Sequence, residues 1–380
     1  MGGIYLHIPF CRKACIYCDF HFSTNFSRKK ALLDALRKEI DIRKNEIQAL
    51  GTLNTLYFGG GTPSVLHKEE VLDIINHIRD LLPFSPEIEI NLEANPDDLK
   101  LPYLESLSSV GINRLSIGIQ SFSEDVLKWM NRSHNSQQST QAIEEARIAG
   151  FENFSCDLIF GNPGIDQKLW EKDLQQLIDL KSPHISVYAL TVEERTALSH
   201  QVENGKAVIP PEEIYQDQFL IAHQRLTVAG YEHYELSNYA IPGFRSKHNS
   251  AYWKGIPYVG LGPSAHSYDG KHRSWNIANN MRYIQQLDAG ESPVEESELL
   301  SPKDQYHEYI MTHLRKMEGI DMSWIEKNWV PDWRKRFEGE LNALKARDEI
   351  LVEGQKLWIK PEAWLLSNQI IRDFFIDDIL

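Results

Sequence analysis

The sequence predicts an α/β protein built on a parallel sheet, and three observations carry that prediction. Short apolar runs alternate with helical patterns through the first half of the chain, an arrangement in which successive strands lie parallel with helices between them. Chemically unusual residues stand directly after the runs, which gathers them at the carboxyl ends of the strands. The third is a loop after the first run that carries three cysteines in eight residues.

Taken in order, Met1-Gly-Gly-Ile-Tyr-Leu-His-Ile-Pro reads as a first strand, and Cys11, Cys15 and Cys18 follow it. Residues 27 to 50 place Leu32, Leu33, Leu36, Ile40, Ile42 and Ile47 at helical spacing, with Gly51 as the stop. Thr55–Phe58 is a short buried strand that leads into Gly59-Gly-Gly-Thr-Pro-Ser64. Helices are expected near 67 to 82, 98 to 109, 137 to 149 and 167 to 180. Strands are expected at Glu87–Leu92, Arg114–Gly118, Phe154–Phe160 and Ile185–Leu190. A helix at 210 to 230 precedes a stretch from Tyr231 to Trp275 rich in aromatics, glycine and histidine, where periodicity is weak. Past Ser301 come a helix at 303 to 317, a segment from Trp324 to Trp329, a charged helix at 332 to 347, and a hairpin Ile350–Ile359 turning at Glu353 and Gly354. The expected division is a core at 1–200, an extension at 201–300 and a small winged-helix-like α/β unit at 301–380.

A chain of 380 residues accommodates one barrel-sized domain and a smaller one. Lysine and arginine number 40 against 54 aspartates and glutamates, a net charge of −14 that argues against nucleic acid as a partner and favours a protein-contact or lid role for the winged-helix-like unit. No run approaches eighteen apolar residues, so no membrane span is expected, although peripheral contact with a membrane stays open. The first residues lack the pattern of a secretion signal. Three of the four cysteines sit in one loop, which suits a reducing cytoplasm better than a disulfide framework.

Soft thiolate ligands crowded on one loop suit iron–sulfur iron, zinc or copper(I). Structural zinc normally takes four protein ligands, and the fourth cysteine, Cys156, lies far away in an apolar run as a core thiol. Three ligands and a vacancy fit a [4Fe–4S] cluster, which keeps one iron open to an exogenous ligand. Gly59–Gly61 reads either as a tight turn or as backbone made bare for close approach of a ligand. Glu93, Gln120, Arg132 and Asp157 stand at or beyond strand ends, where helix capping competes with ligand binding. Asp157 lies inside an apolar run and so needs a partner.

The spacing C-x3-C-x2-C, with Tyr17 just before the last cysteine, resembles that of the radical S-adenosylmethionine (SAM) superfamily. The resemblance implies a partial (β/α)6 barrel, in agreement with six strands. It also implies a [4Fe–4S] cluster on Cys11, Cys15 and Cys18 whose open iron is chelated by SAM. The segments Tyr5–Cys11, Leu92–Pro96, Ser116–Ser121, Met130–Arg132, Cys156–Phe160 and Gly260–Gly262 narrow it further. They resemble the subgroup of oxygen-independent coproporphyrinogen III oxidases and HemW-type heme chaperones. That subgroup implies SAM contacts at Tyr5, Tyr17, Gly60, Gly61, Thr62, Glu93, Gln120, Arg132, Asp157 and Ala189.

Two departures favour the chaperone branch. The oxidases carry a further cysteine where this sequence has Phe20, and a long arm ahead of the cluster where this one has ten residues. Lys247-His-Asn-Ser-Ala-Tyr-Trp253 matches the chaperones' HNxxYW heme motif at His248, Asn249, Tyr252 and Trp253. The implied function is to bind heme and deliver it to acceptor hemoproteins, with oxidative decarboxylation of coproporphyrinogen III as the alternative. His248 is then the expected ligand of heme iron, against the reading of a loop histidine bonded to its neighbours; His7 and His266 are weaker candidates.

Overall fold

The computed structural model describes residues 2–328 and 331–376, with backbone alone at 331–333. Met1, Trp329 and the last four residues of the 301–380 unit therefore lie outside the described residues. Six strands form the core: β1 (Gly2–Ile8), β2 (Leu53–Gly60), β3 (Phe84–Ala94), β4 (Arg114–Gln120), β5 (Phe154–Phe160) and β6 (His184–Ala189). Each pairs in parallel with the next. Ile4, Leu6 and Ile8 are fully buried on one side of β1. Tyr5 and His7, on the other side, face the barrel interior among polar and aromatic neighbours. Helices cover the outside; Lys29–Ile42 turns Leu32, Leu36 and Ile40 inward.

Several strands run further than their apolar runs suggest. Ladder pairing continues through Ile8↔Gly60 and Glu93↔Ser116, so Gly60, Glu93 and Gln120 belong to strand ends and not to the loops after them. A backbone already paired on both sides has no reason to leave the ladder where hydrophobicity stops. Between β4 and the helix Ser136–Ile148 stands a six-residue helix, Glu124–Trp129, that periodicity missed.

The weakly periodic stretch is ordered. β7 (Glu232–Glu235) and β8 (Asn238–Ala240) add antiparallel beyond β6. β9 (Tyr258–Leu261) pairs in parallel with β1, and β10 (His266–Tyr268), β11 (His272–Asn276) and β12 (Val294–Leu299) continue antiparallel from it. One twelve-stranded sheet results, with the six parallel strands near its middle.

Beyond it, helices Pro302–His313, Met322–Asn328 and Pro331–Ala346 accompany a three-stranded sheet. That sheet orders β13 (Ile320–Asp321), β15 (Lys356–Ile359) and β14 (Ile350–Glu353). Gly354, at φ 58°, makes the turn between β14 and β15. The unit docks on the edge of the large sheet: Leu236 N donates to Arg315 O at 2.9 Å and Met317 N to Tyr234 O at 3.1 Å. No described helix is long and apolar enough to cross a membrane.

Candidate functional site

The cysteine loop leaves β1 and is closed at its base, where Cys11 N donates to Ser23 O at 3.1 Å and Ser23 N to Pro9 O at 2.7 Å. Its middle is tied to the barrel by Ile16, whose N–H reaches Met130 O at 3.2 Å and whose carbonyl accepts from Leu198 N at 2.8 Å. All three thiols line one cavity of about 510 Å³ at the carboxyl ends of the strands. They are not disulfide-bonded. Among the described residues, no three His, Cys, Asp or Glu side chains are gathered as tightly as a single metal ion requires. The thiols share a cavity without meeting at one point. Burial pushes the Cys11 thiol up and that of Cys18 to about 12.

Opposite the thiols lies the glycine strip. Gly61 N donates to Ile8 O at 2.9 Å and Thr62 N to Phe10 O at 2.8 Å, holding the strip against the loop. A Cβ on Gly61 would stand 2.8 Å from the Phe10 backbone, and one on Gly60, at φ 109°, would stand 2.7 Å from the His7 ring. Thr62 Oγ1 lies 3.4 Å from Cys11 Sγ. Arg132 Nη1 lies 3.3 Å from Cys15 Sγ, while its Nη2 donates to Asn95 Oδ1 and Gly118 O at 2.7 and 2.8 Å.

Two carboxylates close the interior side. Glu93 accepts from Tyr57 OH at 2.7 Å and from Gly60 N at 3.1 Å. Burial raises its pKa to about 7 against the pull of the Tyr57 bond, with Asp157 pushing the same way. Burial likewise raises Asp157 to about 6, while the Ser186 hydroxyl and the Arg114 charge draw it down. Asp157 Oδ1, Gln120 Oε1 and Arg132 Nε are buried without hydrogen-bond partners. Three orphaned polar atoms around one cavity mean that it is built for a polar occupant.

The HNxxYW segment forms the short helix Lys247–Trp253 at the opposite end of the barrel. Glu89 on β3 accepts from its first N–H groups, Lys247 N and His248 N, each at 3.0 Å. Ser246 Oγ accepts from Asn249 N at 3.2 Å. His248 is 2% exposed; Nδ1 bonds Thr55 Oγ1 at 2.8 Å, Nε2 bonds Tyr252 OH at 2.8 Å, and the ring stacks on Tyr57. Burial and the Arg114 charge push its pKa down to about 3. The expected iron ligand is therefore a buried helical residue with both nitrogens engaged, and in this conformation it offers no lone pair to a metal. Asn249, Tyr252 and Trp253 do line a second cavity, of about 680 Å³, between this helix, β6, β9 and the C-terminal unit. Tyr188 faces both cavities.

Of the residues expected to hold SAM, the first cavity gathers Tyr17, Gly60, Gly61, Thr62, Glu93, Gln120, Arg132, Asp157 and Ala189. Tyr5 does not reach it: its hydroxyl bonds His7 Nδ1 at 3.1 Å and its ring stacks on Tyr57. His7 supports the cluster loop through His21 O at 2.8 Å, and His266 lies on the exposed side of β10. Sequence reasoning missed Asn95, which bridges Arg132 and Thr62, although it sits directly after β3 like the residues that were found. It also missed Tyr57 and Tyr188, which look like ordinary strand aromatics.

A parallel barrel whose mouth holds three free thiols, a glycine strip and buried carboxylates has the architecture of the radical SAM proteins. The model of the radical SAM superfamily matches residues 5–177, and that of the HemN C-terminal domain matches residues 300–366. The heme chaperone HemW of Lactococcus lactis is 32% identical over all of this chain and 98% of its own length. HemW of Bacillus subtilis is 33% identical over 98% and 99%. The solved structure of Escherichia coli coproporphyrinogen III oxidase (HemN), a radical SAM enzyme, superposes with a TM-score of 0.85 at 25% identity, covering all of this chain and 90% of that one. The chain belongs to the HemW family of the radical SAM superfamily.

Membership in that superfamily implies a [4Fe–4S] cluster and SAM, and the residues present fit both. Three thiols give the donor set of a cluster with one open iron. The bare strip at Gly60 and Gly61, the buried carboxylates and the orphaned polar atoms suit a zwitterionic cation such as SAM.

Proposed function

We propose that this protein binds heme and passes it to acceptor hemoproteins in the cytoplasm, on a scaffold that carries a [4Fe–4S] cluster and SAM. The observation that carries this reading is the pair of cavities on either side of Tyr188, one ringed by thiols and carboxylates, the other walled by the aromatic residues of the HNxxYW helix. The relatives' name supplies the cargo, heme. An aromatic cavity of several hundred cubic ångströms suits a flat macrocycle, because ring faces bury apolar area without needing hydrogen bonds.

Cys11, Cys15 and Cys18 hold the cluster, which when loaded supplies an open iron for SAM and a source of electrons. Thr62 and Arg132 direct a hydroxyl and a cation at two of the sulfurs. Hydrogen bonds and charge at a cluster's sulfurs tune its potential. The carbonyls of Gly60 and Gly61 and the Glu93 carboxylate receive the ammonium of SAM. Gln120, Arg132, Asp157 and Ala189 line the remainder of its site, while Tyr5 acts from beneath by fixing Tyr57 and His7. Asn249, Tyr252 and Trp253 face the heme, and His248 sets the Tyr252 ring. The division into 1–200, 201–300 and 301–380 assigns the cluster and SAM to the first part. The heme segment belongs to the second, and a wall of the heme cavity to the third.

Protein loaded with heme, mixed with an apo-hemoprotein and followed by the recipient's absorption spectrum, is expected to transfer its heme. Failure to bind or release heme, together with anaerobic conversion of coproporphyrinogen to protoporphyrinogen, would replace this function with the oxidase alternative.

A further inference from the structure

The aromatic cavity has a histidine on its wall, from an element outside the HNxxYW helix. His313 ends the helix Pro302–His313 and lines the cavity opposite Tyr252 and Trp253. Its Nδ1 lies 2.9 Å from Tyr309 O and 3.1 Å from Thr312 Oγ1. A carbonyl only accepts, so Nδ1 carries the proton and Nε2 keeps its lone pair. No group among the described residues hydrogen-bonds Nε2. A histidine that donates one ring N–H to a backbone carbonyl and leaves the other nitrogen bare is in the state in which imidazole ligates metal, tautomer and ring orientation both fixed.

The plane of the ring is held as well. Tyr309 stacks on His313 with centroids 3.9 Å apart, and Trp324 stacks on Tyr309 at 4.0 Å. Tyr252 and Tyr258, edge to face at 4.6 Å, supply apolar surface from the barrel side. Lys254 stands at the same cavity as a cation for the carboxylates of a porphyrin's edge, whereas Arg273 there is already paired with Glu308 and Glu298. His248 offers none of this access, since Thr55 and Tyr252 occupy both its nitrogens and it does not line the cavity.

We propose that heme lodges in the cavity between the HNxxYW helix and the C-terminal unit, with its iron bound by His313 Nε2. This rests on the heme-binding reading above and places the iron ligand on a different element from the one the motif suggests. The C-terminal unit then completes the heme site.

The test is a titration of the full-length, cluster-loaded protein with ferric heme, read by absorption and electron paramagnetic resonance. The native chain is expected to bind heme saturably with an imidazole-ligand signature. His313→Ala should lose that signature and weaken binding by about tenfold or more, since even an outer partner of a metal ligand is worth that much; free imidazole should restore the spectrum. His313→Met keeps a packed side chain at the position and should convert the signature to that of a thioether ligand. His248→Ala should retain the imidazole signature. An unchanged spectrum in His313→Met, or loss of the signature in His248→Ala alone, overturns the assignment of His313 while leaving heme binding intact. Absence of saturable binding by the native chain overturns the heme reading itself, and His313 with it.

Discussion

Replacing Glu89 by glutamine tests how the heme-facing helix is held. Glu89 is 3% exposed, accepts from Lys247 N and His248 N at 3.0 Å each, and lies 3.7 Å from Arg114 Nε. Glutamine keeps one oxygen but points an amide N–H₂ at one of the two donors, and it removes the countercharge of Arg114, itself 2% exposed. A hydrogen bond to a charged group is worth about 1.5–3 kcal/mol, and an uncompensated buried charge raises the loss to roughly 3–5 kcal/mol. At about 2 °C per kcal/mol for a chain of this size, Tm should fall by roughly 6–10 °C. Heme affinity should fall with it, because Tyr252 and Trp253 ride on the loosened helix. Thermal unfolding followed by circular dichroism reads the first effect and heme titration the second. Glu87→Gln is the control: Glu87 is 88% exposed and 3.8 Å from Lys247 Nζ, a pair worth under about 1 kcal/mol. A Glu89→Gln protein as stable as that control, with native heme affinity, would refute this anchoring.

The raised carboxylates predict a pH dependence. A carboxyl whose folded pKa exceeds its unfolded value contributes stability that is complete below the unfolded value and lost as pH rises through the folded one. For Glu93 that window runs from about 4.5 to about 7, and for Asp157 from about 3.8 to about 6. The shift at Glu93 corresponds to a loss on the order of 3 kcal/mol across its window. Denaturant titrations of cofactor-free protein should show the decline, and Glu93→Gln should flatten it; parallel curves would contradict the cause. Gly61→Ala puts a methyl 2.8 Å from the Phe10 backbone and should push the glycine strip off the cysteine loop. Iron and sulfide bound after anaerobic reconstitution should then fall by about half or more, and a full complement would show that the close approach is not needed.

What the sequence disclosed and what it hid divide along the range of the interactions. Phe154–Phe160 is visible as a strand because apolar residues fill it end to end, and the cysteines are visible because their chemistry lies in adjacent residues. The strands from Tyr231 to Asn276 are three to five residues long, too short for any period to register, and the pairing partners of β8 and β9 lie on β6 and β1. The surroundings of His248 were hidden for the same reason. Its environment is set by Thr55, Tyr57 and Glu89, more than 150 residues away in the chain, and nothing local in Lys247–Trp253 tells an exposed histidine from a buried one. The orphaned atoms of Gln120 and Asp157 exist only once the barrel curls. Sequence could gather these residues at the carboxyl ends of the strands, but not show which of their polar atoms stay unpartnered there.

The central claim is that three thiols at the barrel mouth carry a cluster with an iron left open for SAM. Anaerobically reconstituted protein, analysed for metal and sulfide and then examined by electron paramagnetic resonance in its reduced state, tests it most directly. The account predicts about four irons and four sulfides per chain and a signal that changes when SAM is added. Bound zinc without sulfide, or a signal indifferent to SAM, would contradict it.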